Sequence, residues 1–333
     1  MPQSDMTLSR GEAETKIAAV LEAAGTSRRN AASVARALVA AEIDGQAGHG
    51  FSRVASYAAQ VASGKVIGAA CPVATRKGAR VDIDTRSGFA FPAIDLAISE
   101  LVDMTPEYGV AMAAIRRSHH CGQLGAHVER LADKGFAALM VANTPQAMAP
   151  WGGSRALFGT NPIAFAAPRG DDPPLVIDLS LSKVARGKVM AASKAGKPIP
   201  EGWALDADGQ PTTDADAALK GTMVPAGDAK GAALALVVEI LAALVTGANR
   251  SDEASSFFDA DGPPPGVGQM ILAFDVSRSP GFAERLDGLL EAILEQPGTR
   301  LPGAKRLMGR MEERVTIPGH LIQDLNLTGP NEA

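Results

Sequence analysis

Cysteine is scarce in this chain. Only Cys71 and Cys121 occur among 333 residues, too few for the disulfide frameworks of small secreted domains, so a reducing compartment is expected. Long apolar runs are missing as well. The most apolar stretch, Gly231 to Val245, is too short to span a bilayer and is interrupted by Glu239. It reads as a core helix, and no membrane association is expected. Met1 to Glu14 is polar and charged, without the apolar centre of a secretory signal, so the expected location is the cytoplasm. No basic stripe is present and the net charge is −5; nucleic acid is not an expected partner.

Several chemical signatures are absent too. No G-x-G-x-x-G follows a strand, so the usual dinucleotide fingerprint is missing. No G-x-x-x-x-G-K-[ST] argues for a P-loop, and no G-x-S-x-G argues for an α/β-hydrolase elbow. Neither C-x-x-C nor H-E-x-x-H offers a metal site, and no metal is expected. An enzyme that borrows its reactive group from a soluble cofactor stays open.

What is present is ordinary globular material, 46 % hydrophobic and 21 % charged, long enough for a large core and for two subdomains or one elaborate domain. Helical periodicity covers 14–24, stopped by Gly25, then 28–43 with Thr26 or Ser27 as cap, then 53–62. Strand patterns at 73–75 and 81–83 pair across Lys77-Gly78. A helix from Pro92 to 104 precedes strands at 110–115, 137–141, 163–167, 175–178 and 270–276. Further helices fall at 124–134, 182–193 and 281–294. Strands and helices mixed in this way predict a layered α/β or α+β structure. Two long segments rich in Asp, Pro, Gly and Ser, 198–218 and 250–267, read as loops that carry function or line an interface.

Six clusters carry a chemical signal. Asp44 to Arg53 contains a histidine flanked by glycines, where a tight turn admits a ligand and His49 can pass a proton near neutral pH. Arg53, four residues on, can clamp a carboxylate through two N–H donors. The competing reading is a glycine turn with a surface His and Arg. Arg116 to Gly125 lies between a strand and a helix start, where free N–H groups favour phosphate; two solvated histidines are the bland reading. Leu157 to Pro162 favours a plain turn. Asp178-Leu179-Ser180 ends a strand, and Lys183, Arg186 and Lys188 follow on a helix that faces either phosphate or solvent. Lys230 opens the apolar helix at the positive end of its dipole, a placement that a bound anion would offset. Arg300 to Arg306, with Arg310 beyond, is basic enough for a phosphate or a solvated tail.

Taken in order, G-H-G-x-x-R, S-x-H-x-G, Gly159 to Ala166 (G-T-N-P-I-A-F-A), Pro200 to Gly209 (P-E-G-W-A-L-D-A-D-G), Pro211-Thr212-Thr213, Ala226 to Leu236 and Leu301-Pro302-Gly303 resemble the type-2 malate/L-lactate dehydrogenases. The resemblance runs from about Ala19 to Thr316. It implies an α/β mixed sheet with helices, distinct from the Rossmann fold, and a homodimer. It also implies NADPH or NADH as cofactor and a small imino or keto acid as substrate. Residues 1–112 plus 300–333 would form a helical, substrate and dimerisation domain, and 113–299 the NAD(P)H-binding domain. Glu42-Ile43-Asp44-Gly45 and Ser255 to Pro263 lean toward the Δ1-pyrroline-2-carboxylate/Δ1-piperideine-2-carboxylate reductases. The alternatives are a 2-hydroxy acid dehydrogenase of malate, lactate or ureidoglycolate type, and a dinucleotide-binding homologue with impaired catalysis.

Carried over position by position, the resemblance makes His49 the proton donor and Arg53 the carboxylate anchor, with Thr160, Arg186 and Gly187 as substrate contacts. His120, Cys121, Gly122, Gln123 and Leu124 match a cofactor loop, and Asp178, Leu179, Ser180, Lys230, Lys305, Arg306 and Arg310 further cofactor contacts. Lys188 joins His49 as a catalytic candidate, at a position where the imine reductases carry an acid and the dehydrogenase branch a lysine. Two motifs depart from the family. Its serine before the histidine is Gly48 here, and its G-G-H-K-G has become Gly227-Asp228-Ala229-Lys230-Gly231.

Overall fold

Capping starts the first helix. Ser9 accepts a hydrogen bond from the Glu12 backbone N–H, and the Glu12 carboxylate accepts one from the Ser9 N–H, which closes a capping box. The computed structural model describes residues 4–310 and 314–325. Strand β1 (Met6–Ser9) leads directly into α1 (Arg10–Ala23). Of the two cap candidates for the second helix, Ser27 takes the role and accepts the Asn30 N–H, opening α2 (Arg28–Ile43). α2 buries Ala31, Val34, Ala35 and Leu38 along one stripe. These pack with Ile17 and Leu21 of α1 and with Val54 and Tyr57 of α3 (Val54–Ala62) in one apolar core.

The second core is built on a sheet. The expected hairpin forms as β2 (Val73–Lys77) and β3 (Arg80–Asp84). Then come α4 (Ala90–Tyr108), β4 (Val110–Ser118), α5 (Gly125–Ala132), β5 (Phe136–Ala142), β6 (Ile163–Ala167) and β7 (Leu175–Leu179). After α6 (Arg186–Lys194), the expected loop at 198–218 holds structure of its own. β8 (Ala204–Leu205), β9 (Pro211–Thr212), α7 (Ala215–Lys220) and β10 (Thr222–Met223) make a small sheet with β8 in the middle. The apolar stretch is α8 (Asp228–Glu239), continued by a π-helical turn at Ile240–Leu244. β11 (Val267–Asp275) and α9 (Phe282–Leu294) follow, then α10 (Ala304–Arg310), β12 (Arg314–Ile317) and α11 (Gly319–Asp324).

Seven strands form the main sheet in the order β2-β3-β4-β11-β5-β6-β7. β3 and β4 are parallel, joined through α4; every other neighbour in this sheet is antiparallel. Alternation along the strands decides which layer each side chain enters. Ala111, Ala113 and Ile115 of β4 and Ile271 and Ala273 of β11 face α4 and α5. Met270, Leu272 and Val141 face the opposite layer, where Ala235, Val238 and Ala242 of α8 and its extension cover them. The sheet crosses the expected 112/113 boundary, since β2 and β3 belong to the same sheet as β4. The C-terminal segment returns to the start: β12 pairs antiparallel with β1, and Val315 and Ile317 join the helical core. The ends of β4, β5 and β7 and the turn after α2 thereby converge on one cleft.

Candidate active site

The turn after α2 explains the Gly-His-Gly motif. Gly45, at φ +74°, ends the helix, and two short 3₁₀ turns carry Ala47–His49 and Phe51–Arg53. The Glu42 carboxylate folds beneath this turn and accepts the Phe51 N–H at 2.9 Å. A Cβ on residue 50 would lie 2.1 Å from that carboxylate oxygen, so a side chain there would push the Glu42 carboxylate off the Phe51 N–H. Nothing lies within 4 Å of a Cβ placed on Gly48. Burial raises the Glu42 carboxyl against the Phe51 hydrogen bond.

His49 and Arg53 line the same cleft, of about 510 Å³. His49 Nδ1 meets His120 Nε2 at 3.1 Å with the rings nearly parallel, 13° apart. His120 Nδ1 meets the Tyr57 hydroxyl at 2.5 Å. Burial, and then the Arg53 charge, hold His49 down to about 4; burial, and then Arg53 and His49, put His120 lower than the usual imidazole range. Both rings are therefore neutral at pH 7. Arg53 donates through Nε to the Gly48 carbonyl at 2.7 Å and lies 4.6 Å over the Phe258 ring. Its buried Nη1 has no partner. That orphaned donor and the missing acid make a receptor for an anion. Arg186 lines the cleft too and donates only to the Leu219 carbonyl. Neither arginine forms an ion pair among the described residues.

The structure brings most of the sequence candidates together. His49, Arg53, Thr160, Arg186, Gly187, all of 120–124 and all of 178–180 line the cleft. Five candidates do not. Lys188 sits on α6 with its side chain exposed, outside the cleft lining, and Lys230 and Lys305 are exposed at the starts of α8 and α10. Solvent therefore already stabilises the Lys230 charge, without a bound anion. Arg306 is buried and donates to Asp44 and Glu129, and Arg310 reaches the same two carboxylates. Their donors serve an internal ion cluster that fastens α10 to the end of α2. The expected phosphate position at the start of α5 is also taken, because Asp178 Oδ2 accepts the Gly125 N–H at 2.7 Å.

No role was assigned from sequence to the other cleft residues, although His119, Phe257 and Phe258 lie in segments that carry the resemblance. His119 is buried, and its Nε2 pairs with Gln60 Oε1 at 2.8 Å; burial, with Lys65 and Arg53, holds it down to about 3. Residues 143–147, the loop after β5, form one wall. Phe257 and Phe258, from the long loop expected at 250–267, form another. Lys65, buried, holds that loop by donating to the carbonyls of Ser256, Asp259 and Asp261. Gly159 is fixed by packing, since a Cβ there would meet the Thr144 carbonyl at 2.3 Å.

Residues 8–326 match a family model described as malate/L-lactate dehydrogenase. The (2R)-3-sulfolactate dehydrogenase (NADP+) of Chromohalobacter salexigens is 53 % identical over 321 residues, 96 % of each chain. A Δ1-pyrroline-2-carboxylate/Δ1-piperideine-2-carboxylate reductase of Pseudomonas putida is 39 % identical, covering 94 % of each chain. The crystal structure of Δ1-piperideine-2-carboxylate reductase from Pseudomonas syringae superposes with a TM-score of 0.92 at 36 % identity, over 97 % of this chain and 100 % of that one.

Proposed function

The chain belongs to the malate/L-lactate dehydrogenase family and is an NAD(P)-dependent oxidoreductase, and from that premise we propose that it interconverts a small 2-hydroxy acid and its 2-oxo acid, where the substrate carries a second anionic group of the sulfonate class, with NADP as cofactor. One observation carries this reading: Arg53 and Arg186 both line the cleft, and neither has an acidic partner among the described residues. A cyclic imino acid brings one carboxylate. A 3-sulfolactate-like substrate brings two anions for two guanidinium groups. The 53 % identical relative, named for that substrate and for NADP+, supports the same reading.

The cleft has the groups a nicotinamide requires. Phe257, Leu124 and Pro162 offer an apolar surface for the ring, and the buried Gln123 Oε1, which has no partner, offers an acceptor to a carboxamide. When bound, the cofactor supplies or removes the hydride at C2 of the substrate. The protein contributes placement and a proton. Arg53 anchors the carboxylate through its free Nη1, and Arg186 receives the second anion. His49 donates from Nε2, the ring nitrogen left without a protein partner, as negative charge develops on the substrate oxygen. Fixing the substrate at both ends lowers the barrier by several kcal/mol, up to about 7–11 in the best oriented cases.

A second reading keeps the imino acid as substrate. The reductase relatives support it, as do Phe257 and Phe258, an aromatic wall suited to a five- or six-membered ring. Steady-state assays on the purified chain separate the two. The proposal expects NADP+ reduction with 3-sulfolactate at a kcat/KM at least about tenfold above that with lactate. Turnover of Δ1-pyrroline-2-carboxylate with NADPH, and of no hydroxy acid, would overturn it. A homodimer is part of the proposal, supported by Leu234, Val237 and Leu244, which are exposed at helical spacing on α8 and its extension. Light scattering at twice the chain mass is the expected outcome; a monomer mass would contradict it.

A further inference from the structure

Tyr57 is absent from the cleft lining and fully buried in α3, yet its hydroxyl reaches the cleft histidines through one contact, His120 Nδ1 at 2.5 Å. His120 has no ring nitrogen to spare: Nδ1 faces Tyr57 and Nε2 faces His49 Nδ1. The three side chains come from α3, from the loop after β4 and from the 3₁₀ turn after α2. No carboxylate hydrogen-bonds any of them among the described residues, and the charged or titratable groups that face His120 are Arg53, His49 and His119. A neutral histidine beside a reacting oxygen can act as proton donor only if its proton sits on the outward nitrogen. An acid usually fixes that choice. Here there is none.

We propose that Tyr57 is the positioning residue that fixes this choice, through a directed line Tyr57–His120–His49. The direction follows from satisfying buried polar atoms. If the Tyr57 oxygen accepted a proton from His120 Nδ1, its own O–H would be left buried with no acceptor, since no other partner exists among the described residues. Tyr57 therefore donates. His120 Nδ1 must then be bare, which puts the His120 proton on Nε2, where it is donated to His49 Nδ1. His49 in turn carries its proton on Nε2, open to the cleft. Burial raises the Tyr57 hydroxyl pKa, which keeps it a donor at rest, and Arg53 is the charge that favours the phenolate.

During reduction three protons move along the line toward the substrate. The His49 Nε2–H bond breaks as the substrate O–H bond forms. The His120 Nε2 proton moves to His49 Nδ1, and the Tyr57 hydroxyl proton moves to His120 Nδ1. Negative charge passes to the Tyr57 oxygen only transiently, because burial opposes the phenolate more than Arg53 favours it. After product release a solvent proton re-enters at His49 Nε2 and the line returns to its start. Oxidation runs through the same steps in reverse.

This inference rests on the proposed hydride chemistry for its kinetic consequence, but its structural part is testable without turnover. Imidazole ¹⁵N spectra of the wild-type chain at pH 7.5, resolved for its five histidines, should show His49 and His120 both neutral with the proton on Nε2. Either ring protonated on Nδ1 instead would overturn the proposal. In Tyr57→Phe the ring packing against Phe89, Phe91 and His119 is kept. Its kcat should fall at least about tenfold on whichever acid the wild type turns over, with KM for acid and cofactor within about twofold. The His49 and His120 signals should shift toward mixed tautomers. Wild-type kcat in Tyr57→Phe, or a loss confined to KM, would overturn it. A wild type inactive on every acid tested would count against the substrate reading alone, because the spectra still decide the line.

Discussion

Gly48 and Gly50 flank the same histidine for different reasons. A side chain at 50 would displace the Glu42 carboxylate beneath it, whereas one at 48 would meet open space. The family serine missing at 48 thus leaves no steric mark, and His49 Nδ1 is already held by His120. Gly48→Ser should fold normally and change kcat by less than about threefold; a gain of ten or more would show that the serine relay was needed. His49→Ala should lose about 10²–10⁴ in kcat with intact stability, and full turnover would end its role as proton donor. His49 and Arg53 were legible in sequence because glycines around a histidine are locally costly unless a ligand or a tight turn needs them. Tyr57 was not legible. An aromatic residue at helical spacing from Arg53 reads as core, and its one polar contact comes from 63 residues away.

At the scale of elements, α10 is held by charge. Arg306 and Arg310 converge on Asp44 and Glu129, and the Asp44 side chain is 1 % exposed. From sequence the basic run suited a phosphate equally well, because the acids that consume it lie on α2 and α5. Burial alone would raise the Asp44 carboxyl, but Arg310, Arg306 and Gln123 outweigh it and hold it below the usual 3.8. With the folded value depressed, the native state binds fewer protons than the unfolded chain. Its contribution is present above the unfolded value and lost as pH falls through the folded one. Asp44→Asn should cost about 1–3 kcal/mol at pH 7, because Glu129 alone is left to neutralise both guanidinium groups. The gap to wild type should narrow below about pH 4. Denaturant melts across pH check both; a gap independent of pH would contradict the assignment.

For the whole molecule, strand and helix positions were legible where periodicity was strong. β6 falls at the residues expected, and β5 and β7 extend the expected spans by one residue at one end or both. Beyond the β2–β3 hairpin, neighbours were not legible. β11 is inserted between β4 and β5 although more than a hundred residues separate it from either. β1 finds β12 at the far end of the chain. Alternation says which face a residue takes and is silent about which strand lies beside it. The same non-local closure assembles the cleft, so its members were found one motif at a time, and its aromatic wall only as part of a long loop whose Ser255 to Pro263 segment leans toward the imino acid reductases. The account depends on two unpaired guanidinium groups that face a doubly anionic acid. The most direct test is kcat/KM for 3-sulfolactate against lactate in wild type and Arg186→Met. The account predicts a loss of about 10–100-fold with sulfolactate, from one charged hydrogen-bonding group removed, and little change with lactate. An equal effect on both substrates, or none on either, would contradict it.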